Sequence, residues 1–114
     1  LFTPPEESEF LSRGFEQSPL HDPDEAIVSY CRSYQSNQVL TVTFTLGIET
    51  NVQVSLSHDA VPCTAVEIES LESVAFQSWH GERTLRFSFS VPQGTTDLRV
   101  HYEPAPSVHV SVLA

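Results

Sequence analysis

Lysine is absent from this chain, and five arginines are its only fixed cations, set against fifteen acidic residues for a formal charge of -10. A surface so charged repels polyanions over most of its area. Nucleic acid is therefore excluded as a partner, and an anionic membrane surface lacks the basic cluster it needs to hold the chain. The partner such a charge suits is another protein, of basic character. No stretch approaches the roughly 18 consecutive apolar residues of a membrane span. Motifs that carry chemistry are missing too: there is no Gly-x-Ser-x-Gly elbow, no His-Glu-x-x-His, no phosphate-cradling glycine loop and no Cys-x-x-Cys. No cofactor is implied.

Cysteine is scarce. With only His58 close to either in sequence, Cys31 and Cys63 make poor material for a four-ligand zinc site and are expected to form one disulfide. Closing that loop contributes roughly 3–4 kcal/mol in the chain-entropy model and places the protein in a secreted or periplasmic setting.

What the chain has in abundance is alternation. Leu40, Val42, Phe44 and Leu46, separated by Thr41, Thr43 and Thr45, put four apolar side chains on one pleat face and three hydroxyls on the other. Similar runs are expected near 26–34, 38–46, 52–57, 64–69, 73–78, 84–91, 97–103 and 107–113. Short strands at this spacing predict an all-β fold, an antiparallel β-sandwich of about seven to eight strands, immunoglobulin-like or jelly-roll-like. Matching core faces across the turns pairs Phe44 with Val54, Phe89 with Val100, and Val100 with Val110. A Greek-key crossing between sheets would replace these pairs.

Residues 1–25 differ from the sandwich domain at 26–114. Four of the eight prolines and seven acidic residues fall there, among Phe2, Phe10, Leu11, Phe15 and Leu20. The segment predicts a short helix entered at Thr3 and stopped at Gly14, with Phe10 and Phe15 making the apolar contact of a Schellman ending. So short a helix is not stable alone. It either covers an open end of the sandwich with Phe2, Phe10, Leu11 and Phe15 or docks on another chain.

Three places can carry binding or chemistry. Trp79 and His80 stand at a turn, where Trp79 either plugs the core of the sandwich or forms an exposed aromatic tip, and Trp79, Tyr30 and Tyr34 are the aromatics available to a partner or a sugar ring. Tyr102 set against Val108 places His101 opposite His109, with Arg99 and Glu103 on the same side, so that two imidazoles can share a metal ion with Glu103 as third ligand or respond jointly to acid. His58 and Asp59 can join a serine in a hydrolytic set. Glu67 and Glu69, two apart on an outward face, discourage edge pairing.

The stretch from Phe87 to Val100, Phe-Ser-Phe-Ser-Val-Pro-Gln-Gly-Thr-Thr-Asp-Leu-Arg-Val, resembles strands of accessory β-sandwich domains attached to secreted bacterial enzymes. It lacks the acidic, glycine-rich stretch such domains often carry further on, and no site residue is transferred. These features point to a non-catalytic, secreted or periplasmic protein-binding accessory module. Its alternative is a carbohydrate-binding module that takes a glycan, and a weaker one is a small metal-dependent or hydrolytic domain.

Overall fold

Strict alternation becomes strand throughout the computed structural model, which describes residues 3–92 and 94–113. Nine strands follow one short helix: α1 (Glu7–Leu11), β1 (Glu16–Gln17), β2 (Ile27–Ser33), β3 (Gln38–Thr45), β4 (Asn51–His58), β5 (Val61–Ile68), β6 (Leu71–Trp79), β7 (Glu82–Val91), β8 (Gly94–Glu103) and β9 (Ser107–Leu113). They form two antiparallel sheets, ordered β1-β2-β3-β4-β5 and β6-β7-β8-β9. The antiparallel sandwich expected from the sequence is present. Each sheet is a simple meander, with no Greek-key crossing inside it, and the chain passes between sheets once, after β5.

The two inner faces supply one core. Leu40, Val42 and Phe44 of β3 and Val52 and Val54 of β4 are fully buried against Leu85 and Phe87 of β7 and Leu98 and Val100 of β8. Phe44 and Phe87 meet across the sheets with ring centroids 6.1 Å apart.

Pairing within the hairpins differs from expectation by even numbers of residues. Phe44 faces Val52 rather than Val54, Phe89 faces Thr96 rather than Val100, and Val100 faces Val108 rather than Val110. The strand ends set the difference: β3 stops at Thr45 and β4 starts at Asn51, β7 runs to Val91 and β8 starts at Gly94, and β8 runs to Glu103 with β9 starting at Ser107. The β4–β5 and β6–β7 hairpins close through Asp59–Ala60, with φ of 52° and 65°, and His80–Gly81, with φ of 51° and 77°, two-residue turns whose twist matches the flanking strands. An even displacement leaves every side chain on its expected face.

The amino-terminal segment packs as part of this core. Glu6, not Thr3, caps α1: it shares a reciprocal capping box with Glu9. The helix ends as expected at Gly14, whose φ of +85° is the left-handed conformation a Schellman ending requires. The Phe15 N–H donates to the Phe10 carbonyl at 3.1 Å, and the Phe10 and Phe15 rings meet edge to face at 5.5 Å. Phe10 stacks on Tyr30 of the first sheet at 4.2 Å and meets Phe76 of the second at 5.1 Å. It bridges the sheets. Phe10 and Phe15 are thus core residues, closed to a partner, while Leu11 is half exposed. Phe2 lies outside the described residues.

The expected disulfide does not form. Cys31 sits in β2 and Cys63 in β5, with β3 and β4 between them. Three inter-strand steps of about 4.8 Å alone put them at least about 14 Å apart, beyond the roughly 7 Å limit for a bridge. Both are free: Cys31 is buried and Cys63 exposed. Burial, with Glu16 nearby, pushes the Cys31 thiol above its ordinary value.

Candidate partner-binding face

The outer face of the second sheet carries a groove of about 610 Å3 lined by Gln77, Ser78, Glu82, Thr84, Arg99 and His101. Strand register explains its composition. Leu98, Val100 and Tyr102 point inward, so alternation turns Asp97, Arg99 and His101 of β8 outward. Their neighbours Arg86 and Ser88 of β7 and His109 of β9 lie on the same side.

Two ion contacts organise this face. The Arg86 Nε donates to Asp97 Oδ2 at 2.9 Å, its Nη2 reaches the same oxygen at 2.5 Å, and the Ser88 hydroxyl donates to Oδ1 at 3.0 Å. Asp97 is only 1% exposed, so this clamp neutralises a buried carboxylate. Further along β8, His101 Nδ1 lies 3.3 Å from Glu82 Oε2.

The histidines expected to face one another are neighbours by a different route. His101 is opposite Ser107 and His109 is opposite Arg99, so the two imidazoles are diagonal. Their rings still meet edge to face at 5.0 Å, a distance diagonal partners reach with long side chains. Glu103 does not join them. Its carboxylate is held at 2.9 Å by Arg32 and at 3.4 Å by Arg83. Among the described residues no three metal-binding side chains converge, so the proposed His101, His109 and Glu103 site is not assembled.

The other candidates are scattered. Tyr34 is half-buried, donates its hydroxyl to the Tyr102 carbonyl at 2.8 Å and lies under Arg32 at 5.4 Å. Burial pushes its phenol up to about 12. Tyr30 is buried under Phe10, so neither tyrosine offers a free face to a sugar. His80 is exposed at the β6–β7 turn, and the Trp79 side chain lies outside the described residues. His58 Nε2 is 3.6 Å from Asp59 Oδ2, both more than half exposed. Among the described residues no hydroxyl hydrogen-bonds to His58. Sequence reasoning missed Arg86, Asp97 and Arg99 as a group. Alternation placed Arg99 beside His101, but linking β7 to β8 needed the correct register.

Compared with solved structures, the chain is similar to a chain of the contact-dependent growth inhibition toxin–immunity protein complex from Klebsiella pneumoniae 342. The TM-score is 0.80 at 16% identity, over 94% of this chain and 93% of that one. The likeness is one of fold. No protein-family model matches the chain, and no curated protein matches it.

Proposed function

We propose that this chain is a non-catalytic protein-binding module of the immunity type, which acts by occupying a toxin partner. The observation that carries the reading is the fold shared end to end with a member of a toxin–immunity protein complex. One feature favours the immunity side over the toxin side: the -10 charge suits a basic partner whose approach it accelerates. A secreted or periplasmic location is the expectation that the disulfide supported. The free thiols remove that support, and cell fractionation decides it.

Affinity capture with the full chain from its native source, followed by co-expression of the captured protein with and without the chain, tests the function. A stoichiometric complex together with restored growth of cells poisoned by the partner is the expected result. Capture without growth rescue refutes immunity, and hydrolytic activity of the chain itself would refute the non-catalytic reading.

A further inference from the structure

We propose that the groove on the outer face of the second sheet receives a carboxylate side chain of the protein partner, with Arg99 as its counter-ion. This rests on the protein-binding reading above. The register sets Ala75, Arg86, Arg99 and His109 side by side in one row across β6, β7, β8 and β9. Two guanidiniums directly opposite each other on one sheet face repel and destabilise the pair. Asp97 answers only one of them: Arg86 takes one of its oxygens and Ser88 the other.

The remaining arginines are all engaged. Arg13 donates to the Glu9 carbonyl, Arg32 and Arg83 share Glu103, and Arg86 holds Asp97. Among the described residues Arg99 has no hydrogen bond, ion pair or ring contact. In a chain with fifteen acidic residues and five arginines, compensating carboxylates are plentiful. The uncompensated arginine nevertheless opens on the groove, one row from Gln77 and Thr84, which add an amide and a hydroxyl as donors, while the neighbouring His101 turns its Nδ1 to Glu82.

A guanidinium takes a carboxylate through two parallel hydrogen bonds, a geometry that selects register as well as charge. Glu82 at the rim and the -10 net charge disfavour a polyphosphate, whose further charges would face both. A single carboxylate on a basic protein meets long-range attraction and then this local counter-ion.

The test uses the isotope-labelled full chain and N-acetyl-glutamate α-amide as probe, with sodium chloride as the ionic-strength reference. Saturable NMR shifts are expected at the Arg99 Nε–H and the rings of His101 and His109. They weaken at least about 10-fold in Arg99→Gln and are unchanged in Glu67→Gln on the other sheet. Shifts that fail to saturate or survive Arg99→Gln overturn the proposal, as does tighter response to inorganic phosphate or a short RNA. Relief of the like-charge pair should also leave Arg99→Gln folded, with a thermal midpoint raised by about 1–4 °C; a lowered midpoint contradicts an uncompensated Arg99. In the growth assay, full protection by Arg99→Glu sinks this inference alone. Absent protection by the wild-type chain, with the glutamate response intact, sinks the immunity reading alone.

Discussion

Each sheet carries a polar row across its strands on the outer face, and the two rows are satisfied in opposite ways. On the first sheet the Ser18 hydroxyl donates to Ser29 at 2.6 Å, and Ser29 and Thr43 share a hydrogen bond of 2.7 Å. All three residues are buried. On the second sheet Arg86, Arg99 and His109 stand in line, and only Arg86 has an anionic partner among the described residues. A row of hydroxyls closes on itself because each group both donates and accepts. Guanidiniums only donate. The Arg86–Arg99 pair stays open until an acceptor arrives from elsewhere, so the first face reads as structure and the second as an interface.

The largest expected effect concerns the amino-terminal segment that precedes β1. Phe10→Ala removes a fully buried ring that touches both sheets, and should cost about 3–5 kcal/mol in urea unfolding. A loss below about 1 kcal/mol would mean that residues 3–25 rest on the sandwich without closing it. Next is Arg86→Ala, which strands the buried Asp97 carboxylate. With Arg86 itself one-third exposed, about 2–3 kcal/mol is expected, and Asp97→Asn in the same background should recover part of it. No recovery would show that Arg86 acts through packing and not through charge.

Ser29→Ala comes third. It leaves the Ser18 and Thr43 hydroxyls without their shared partner and should cost about 1–2 kcal/mol. The contrast with Arg99→Gln, expected to stabilise, is the sharpest form of the comparison. If both substitutions shift stability the same way, the two rows are not different in kind.

The smallest effect is alkaline. Burial raises the phenol of Tyr34 to about 12, with Arg32 opposing and Glu103 and Tyr102 adding to the rise. The Tyr30 and Tyr102 phenols are also raised, chiefly by burial. The folded state therefore holds these protons more tightly than the unfolded one. Their contribution to stability is intact below about 10; that of Tyr34 declines as pH rises from there toward about 12, and those of Tyr30 and Tyr102 as pH rises through their raised folded-state values. Absorbance titration should show no tyrosinate in the folded protein near pH 10, then ionisation coincident with unfolding. A tyrosine that titrates near 10 with the fold intact would contradict the burial of that ring.

Alternation alone determined which residues face the core. Leu40, Val42, Phe44, Leu85, Phe87, Leu98 and Val100 are legible as core because the strand period is two, and the register differences of two and four residues keep every face. The ending of α1 was legible for a similar local reason: Gly14 and the Phe10–Phe15 pair stand at fixed offsets from it. Partners across strands were not, since they depend on where each hairpin turns: β8 already starts at Gly94, which pairs with Val91, where the apolar pattern placed a longer loop. The two-residue β1 has no period to read. Only the tertiary structure separated Cys31 from Cys63, because strand order sets distance while sequence spacing does not. It alone set Arg99 beside Arg86 and drew Glu103 to Arg32, since long-range register decides which charges become neighbours.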